Sequence, residues 1–347
     1  MKTKKMIAIW MTAGIIMVSL AGCGGKDDTA KTAAGQERAE DTADAKENKE
    51  DKGASEGPVR LGIVVKSLSD QYYTLLKKGA EDRAEEVGNI ELTVIAPNSE
   101  ADVQKQVENV ETLLAKGVDV IGIAPAHNET LLPVLQQAVE QGVKVMAVDN
   151  DTTLEEKVTF IGTENETAAY EGAKWAGKQI GEGGNAIVLR GKLGDSNHDE
   201  REAGLQKGLE ETGINVLEIQ TADCEEQKGL QVTENLIQKY DNIDLVITTA
   251  DTMSMGAYRA IEQAGMTDKI QVYGFDGQYS FAKLIAEGKV LGTTAQDPYT
   301  MGIIAVDTAV SIANGEEVNP RIDSGQIIVT QENGAEFVKD LESKLPQ

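Results

Sequence analysis

Short apolar segments alternate with amphipathic segments along most of the chain, beginning at Val59. The apolar segments are rich in Val and Ile, which is typical of buried β-strands. The amphipathic segments repeat apolar residues at helical spacing, as Val103, Val107, Val110 and Leu114 do, which is typical of helices packed on one face. Such alternation predicts βαβ units that form parallel sheets with helices on both faces.

The predicted strands cover residues 59–65, 92–96, 118–124, 143–148 and 158–161 in a first set, and 186–189, 216–222, 245–249, 270–275, 290–295 and 327–329 in a second set. The predicted helices cover residues 72–87, 102–116, 130–141, 167–180, 200–212, 226–240, 254–264, 281–286, 301–313 and 335–341. We therefore expect an α/β protein with two doubly wound, Rossmann-like lobes of similar size.

Three of the predicted strands end in an aspartate, namely Asp149, Asp251 and Asp276. Ligands of open α/β sheets bind beyond the carboxyl ends of the strands, where a carboxylate can accept hydrogen bonds from them. An aspartate in that position can also be the N-cap of the next helix, and this alternative stays open for each of the three taken alone.

The first 23 residues have the pattern of a targeting segment. Lys2, Lys4 and Lys5 precede an apolar run at 6–18 that is short for a spanning helix. Leu20-Ala21-Gly22-Cys23 resembles a bacterial lipobox, which implies cleavage before Cys23 and a lipid on that cysteine. A plain secretory signal and an uncleaved anchor are the alternatives.

Residues 24–57 contain no Val, Ile, Leu, Met or aromatic residue. A segment with so few apolar groups cannot offset its ordering entropy. We predict a disordered acidic tether that holds the folded part away from the membrane, outside the cytoplasm.

The formal net charge is −25. This charge argues against nucleic acid, because phosphate binding needs clustered Lys and Arg. The two cysteines and two histidines lack the spacing of a zinc site, so we expect no metal. No phosphate-binding loop and no Gly-x-Ser-x-Gly motif is present, and we predict no enzyme activity and no cofactor.

Several polar residues at predicted strand ends suit a polyhydroxyl ligand. Carboxylates accept from hydroxyl pairs, arginine donates in a fixed fork, and aromatic faces cover the apolar side of a sugar ring. The candidates are Lys66, Asp70, Tyr72, Tyr73, Asp149, Asn150, Arg201, Asp251, Asp276 and Gln296.

The chain resembles the ribose-type periplasmic sugar-binding proteins of ABC transporters. The matching stretches lie between Val59 and Val329 and read VVKSLSDQYYTLLKKGAEDRAEE, VMAVDND, REAGLQKGLEE, TADCEEQKGLQVTENLI, ADTMSMGAYRAIEQAG, VYGFDG and VLGTTAQDPYTMG. The resemblance implies the type I periplasmic-binding-protein fold, with two lobes joined by three crossover segments and a sugar bound between them.

The resemblance also implies domain boundaries and partners. The N-terminal lobe would be 58–163 plus 297–325, and the C-terminal lobe 164–296 plus 326–347. The protein would bind a monosaccharide or polyol, close by hinge bending and deliver the ligand to a membrane permease, acting as a monomer. The alternatives are a ligand sensor for a chemoreceptor or membrane kinase, a transcriptional repressor, and an enzyme.

The resemblance adds Cys224 to the candidate ligand-binding residues, as a non-catalytic residue that lines the cleft. It also shows departures from the ribose pattern, which has Ser at Lys66, Asn at Asp70, Arg at Asn150, Phe at Cys224 and Asn at Ala250, and Phe at both tyrosines. These departures argue against ribose itself. The exchange at Lys66 and Asn150 permits the hypothesis of an acidic or phosphate-like ligand.

Overall fold

The computed structural model describes residues 57–345. The predicted signal segment at 1–23, with Cys23, and the tether at 24–57, apart from Gly57, lie outside the described residues. Within the described range the strands are β1 (Val59–Val64), β2 (Ile90–Ile95), β3 (Val120–Ile123), β4 (Lys144–Val148), β5 (Phe160–Gly162), β6 (Asn185–Arg190), β7 (Asn215–Thr221), β8 (Leu245–Thr248), β9 (Gln271–Asp276), β10 (Gly292–Gln296), β11 (Arg321–Asp323) and β12 (Gln326–Val329).

The helices alternate with these strands. They are α1 (Gln71–Val87), α2 (Val103–Lys116), α3 (Asn128–Glu140), α4 (Asn165–Ile180), α5 (Ser196–Glu211), α6 (Glu226–Lys239), α7 (Asp251–Gln263), α8 (Tyr279–Ala286), α9 (Pro298–Ala313) and α10 (Gln331–Lys344).

The strands form two six-stranded sheets. The first has the spatial order β11-β5-β4-β3-β1-β2 and is parallel throughout. The second has the order β12-β10-β9-β8-β6-β7, and only β12 runs antiparallel to its neighbour. We call the parts built on these sheets the first and second lobes. The α/β fold with two parallel-sheet lobes is as predicted.

Alternation along each strand supplies two cores per lobe. In β1, Leu61 and Ile63 pack with Leu76 of α1 and Val306 of α9. Val64 belongs to the core on the opposite face of the sheet, with residues of α2 and α3. The buried strands therefore read as continuous apolar runs, as parallel sheets require.

Helix α9 packs on α1 although more than two hundred residues of sequence separate their starts. The chain leaves the first sheet after β5, returns through the segment between β10 and α9, and leaves again between β11 and β12. Three connections therefore pass between the lobes.

Neighbouring helices approach each other closely at glycines. A Cβ on Gly302 of α9 would lie 2.1 Å from the Leu76 carbonyl oxygen of α1. One on Gly204 of α5 would lie 2.2 Å from the Glu166 carbonyl oxygen of α4. The α6–α7 pair has the same feature, because a Cβ on Gly256 would lie 2.1 Å from the Glu226 carbonyl oxygen.

Eight of the ten helices begin one to four residues before the predicted starts. Asp195, which accepts a hydrogen bond from the Asn197 amide, caps α5 at Ser196 rather than at residue 200. Thr330 and Asn333 form a capping box that starts α10 at Gln331. Strand β11 was not predicted, because its three residues RID are mostly exposed and carry no apolar run.

Candidate ligand-binding site

The carboxyl ends of strands from both sheets face a cleft between the lobes. The cleft encloses about 910 Å³ of space, part of it open to solvent. Ten of the eleven predicted ligand-binding residues line it, namely Lys66, Asp70, Tyr72, Tyr73, Asp149, Asn150, Arg201, Cys224, Asp276 and Gln296.

Asp149 lies at the end of β4 and is bound by two tyrosines of α1. The Tyr72 hydroxyl donates to Oδ1 over 2.8 Å, and the Tyr73 hydroxyl donates to Oδ2 over 2.7 Å. A carboxylate has about four acceptor positions, so each oxygen keeps capacity for a ligand donor. Burial and the charge of Asp149 raise the pKa of both tyrosines well above the ordinary value, so they stay donors.

Arg201 of α5 is fixed from three directions. Its Nε donates to Asn165 Oδ1 over 2.7 Å, and its Nη1 donates to the Thr249 carbonyl and to Asp276 Oδ1, each over 3.1 Å. The guanidinium carbon also lies 4.1 Å from the centre of the Phe275 ring, a cation–π contact. The guanidinium is therefore held in one orientation at the cleft wall.

Asp276 joins Arg201 to the last residue of β10, Gln296. Its Oδ1 accepts from Arg201 and also from Gln296 Nε2 over 2.8 Å. Burial raises the pKa of Asp276 to about 6, although the Arg201 charge and the Gln296 hydrogen bond act in the opposite direction. Its Oδ2 has no hydrogen-bond donor among the described residues, so it is available to a ligand hydroxyl.

The backbone has positive φ at Asp149 (69°), Cys224 (61°) and Asp276 (116°). Such values are uncommon for residues with a side chain, and Asp tolerates them better than most. Each of the three residues lies at the end of a strand or shortly after one, where the chain turns. Each of them also lines the cleft. Strain of this kind often accompanies binding sites.

Unlike the other ten predicted residues, Asp251 does not line the cleft. Its Oδ2 accepts from the amides of Gly277 and Gln278 over 2.8 Å, and its Oδ1 accepts from the Thr293 hydroxyl over 2.8 Å. The side chain is fully buried. Asp251 therefore shapes the turn after β9 and thereby positions Asp276.

Ala250, a position that the resemblance also marks, lines the cleft as well. Further residues of the cleft wall were not predicted, namely Glu100, Ala126, Lys192, Asp195, Asn197, His198, Thr252 and Gln278. Most of them lie on connections or at the first turn of a helix, where no periodicity marks them. Asp195 is the N-cap of α5. A correct prediction of the start of this helix would have placed Asp195 at the cleft.

His198 and Cys224 form a neutral pair. The Sγ atom of Cys224 lies 3.0 Å from His198 Nε2, and His198 Nδ1 lies 2.9 Å from the Thr249 hydroxyl. Burial raises the pKa of Cys224 to about 12, and burial together with Arg201 lowers that of His198 to about 3. At neutral pH the pair is a thiol and an uncharged imidazole, without the thiolate that nucleophilic cysteine chemistry requires.

Across residues 57–345 no cluster of three or more His, Cys, Asp or Glu side chains is arranged to hold a metal ion. Over the same range, no helix has the length and apolarity needed to cross a membrane.

Known proteins resemble the chain in sequence and in structure. The sequence profile of the periplasmic binding protein domain matches residues 61–317. The ribose import binding protein RbsB of Escherichia coli strain K12 is 30% identical over 261 residues, which are 75% of this chain and 87% of that protein. The RbsB protein of Bacillus subtilis strain 168 is 30% identical over 271 residues, 78% of this chain and 87% of that protein.

Among solved structures, an ABC transporter solute-binding protein from Actinobacillus succinogenes 130z, with bound D-allose, superposes with a TM-score of 0.75. It is 27% identical, and the match covers 80% of this chain and 99% of that one.

Proposed function

The chain belongs to the periplasmic binding protein domain family, in its ribose-type branch, and on that basis we propose that it captures a monosaccharide or related polyol. It delivers this ligand, outside the cytoplasm, to the permease of an ABC transporter. The observation that carries the proposal is the donor and acceptor set of Asp149, Arg201, Asp276 and Gln296, contributed by both lobes to one cleft.

This set matches the chemistry of a polyhydroxyl ligand. Each sugar hydroxyl both donates and accepts, so it pairs with a carboxylate on one side and with a guanidinium or amide on the other. Tyr72 and Tyr73 pack edge to face, with ring centres 5.2 Å apart, and offer apolar surface to a ring. Hinge closure buries these contacts, and the closed form is the one that the permease recognises.

Thermal unfolding with a panel of pentoses, hexoses, polyols, sugar acids and amino sugars tests the proposal. A ligand at about 100 times its Kd adds about 2.7 kcal/mol to the free energy of unfolding, so we expect a rise in Tm of several degrees. Absence of any shift across the whole panel contradicts a sugar-binding function.

The variant Arg201→Lys locates the binding site. A lysine keeps the charge but cannot form the three contacts of the guanidinium, so we expect affinity for the bound sugar to fall about ten- to one hundred-fold. Arg259→Lys, an exposed position on α7, is the matched control. Equal affinity in all three proteins places the ligand elsewhere.

We also propose that the protein performs no covalent chemistry on its ligand. The curated relatives described above are binding proteins, and the neutral His198–Cys224 pair supports the proposal. The bound sugar, recovered after prolonged incubation and analysed by mass spectrometry, is expected to be unchanged. A product of altered mass would contradict this.

We further propose that a lipid on Cys23 anchors the protein to the outer face of the cell membrane and that residues 24–57 form the tether. The lipobox-like residues 20–23 support this proposal. Metabolic labelling with palmitate is expected to mark the wild-type protein but not Cys23→Ser. Release of unlabelled wild-type protein into the medium is the opposing result.

A further inference from the structure

The charges that line the cleft do not balance. Five carboxyl groups face it, from Asp70, Glu100, Asp149, Asp195 and Asp276. Three basic side chains face it, from Lys66, Lys192 and Arg201. The lining therefore carries two more acidic groups than basic ones, which is opposite to what an acidic or phosphate-like ligand needs.

Among the described residues, Arg201 is the cleft cation that forms an ion pair with a cleft acid, and Lys66 and Lys192 lie beyond ion-pair distance of the acids around them. Arg201 is bonded to Asp276 over 3.1 Å. Burial raises the pKa of Glu100, and the charges of Lys66 and Lys192 act against that rise. Burial also acts to raise the pKa of Asp195, but the charge of Lys66 and other nearby positive groups lower it overall.

Within residues 57–345, Asp149 has no Lys, Arg or His nitrogen at ion-pair distance, and both of its side-chain hydrogen bonds come from uncharged tyrosines. Burial is the main cause of the raised pKa of Asp70, Glu100 and Asp276, and the negative charge of Asp149 adds to it. Asp149 is therefore a carboxyl of the cleft wall with other carboxyls nearby and no counter-charge in contact.

A neighbouring side chain independently points to a ligand at the same place. Asn150 lines the cleft and is only 5% exposed. Its side chain makes no hydrogen bond within the described part of the chain, and its Oδ1 is buried without a donor. A buried amide left unpaired is unfavourable, and a ligand with several N–H or O–H groups would supply the missing partner.

We propose that the ligand is a polyhydroxyl compound that carries a protonated amine, such as an amino sugar or an aminocyclitol, with the ammonium group beside Asp149. This inference rests on the proposed function and specifies its ligand class. The ammonium supplies the counter-charge that Asp149 lacks, and it donates up to three hydrogen bonds to acceptors that are open. The remaining hydroxyls pair with Arg201, Asp276 and Gln296.

Isothermal titration with matched ligand pairs tests the inference. Each pair differs by one hydroxyl replaced by an amine, as in D-glucose and D-glucosamine, D-galactose and D-galactosamine, D-allose and its amino-deoxy derivatives, and myo-inositol and its amino-deoxy derivatives. Besides the neutral sugars and the amines, sugar acids are titrated as a third set of ligands. We expect at least one amine to bind about ten- to one hundred-fold more tightly than its neutral partner, the range for a charge-assisted hydrogen bond in a buried site.

The results separate failure of the inference from failure of the proposed function. Neutral sugars or sugar acids that bind as tightly as the amines, or more tightly, overturn the inference and leave sugar capture in place. A panel in which nothing binds overturns both.

The variant Asp149→Asn tests whether Asp149 is the residue that causes the preference for an amine. Asparagine accepts positive φ as readily as aspartate and keeps hydrogen-bonding capacity while removing the charge. We expect the ratio of amine to neutral affinity to fall to about one, whereas Glu111→Gln, an exposed position on α2, leaves it unchanged. If Asp149→Asn binds no ligand, Glu100→Gln is expected to reduce the ratio several-fold, and an unchanged ratio there counts against the inference.

Discussion

At the scale of single residues, Asp276 couples the cleft to pH. Its pKa of about 6 in the protein lies above the ordinary value of 3.8 because the carboxyl is buried. The folded state therefore holds the proton more tightly than the unfolded state does. The contribution of Asp276 to the stability of the ligand-free protein therefore decreases as the pH rises from about 4 to about 6.

The same shift predicts the pH dependence of binding. Ligand hydroxyls that donate to the Asp276 carboxylate stabilise its charged form, so binding below pH 6 must first release a proton. With a neutral sugar, whose own charge does not change with pH, we expect affinity to be constant above about pH 7 and to fall by up to about tenfold per unit below pH 6, measured by titration calorimetry. Asp276→Asn removes a carboxyl that titrates and should flatten the profile. A flat wild-type profile contradicts the assignment.

Ten residues of the cleft were predictable, because strand ends meet at one edge of each parallel sheet and the resemblance to two-lobed binding proteins implied that the two edges share one cleft. The strand-end pattern could not separate Asp251 from the other two aspartates, because only the folded turn at Gly277 and Gln278 shows its carboxylate already bound. Asn197 and His198 were missed because no sequence pattern distinguishes ligand-facing polar residues from solvated ones.

At the scale of elements, paired helices are held close by glycines. The Glu166 carbonyl of α4 occupies the space that a side chain at Gly204 would need, and the Tyr170 carbonyl lies 2.5 Å from the Cβ position at Gly208. These neighbours are backbone atoms within a helix, so they cannot rotate away as the end of a flexible side chain can.

We therefore predict that Gly204→Ala destabilises the protein although alanine is the better helix former. Separation of α4 and α5 is expected to lower the free energy of unfolding by about 1–3 kcal/mol, the usual range for overpacking, measured by urea denaturation. Glu210→Ala, exposed on the same helix, should change it by less than about 0.5 kcal/mol. A Gly204→Ala protein as stable as wild type would mean that the helices can move apart freely.

The order of elements follows from apolar periodicity, and it was predictable over most of the chain. Helix starts were less predictable, because Asp195 and Thr330 act through side-chain hydrogen bonds to the backbone that periodicity does not contain. Strand β11 is held by its pairing with β5 rather than by apolar residues of its own, so a local pattern could not reveal it.

At the scale of the whole molecule, a side chain of the second lobe is bonded to the backbone of the first. Asn197 Nδ2 donates to the Asp149 carbonyl oxygen over 3.2 Å, at the cleft. Opening the cleft would separate these atoms. The hydrogen bond therefore contributes to the closed form and not to an open one.

We predict that Asn197→Ala shifts the lobes toward an open form. Loss of one neutral hydrogen bond is worth about 0.5–1.5 kcal/mol, so ligand affinity should fall about two- to tenfold and the radius of gyration of the ligand-free protein should rise in small-angle X-ray scattering. Asn215→Ala, which removes a bond to the Gly183 carbonyl within one lobe, should change neither quantity. Equal scattering from both variants contradicts a role in closure.

The return of α9 to the first lobe also sets the timing of folding during synthesis. Met301, Ala305 and Val306 complete the core around Leu61 and Leu76, yet residues 164–296 must be made before them. At about 5–20 residues per second this interval lasts roughly 7–27 s. For that time the newly made first lobe has an uncovered apolar face, so its folding finishes only after nearly the whole chain has been translated.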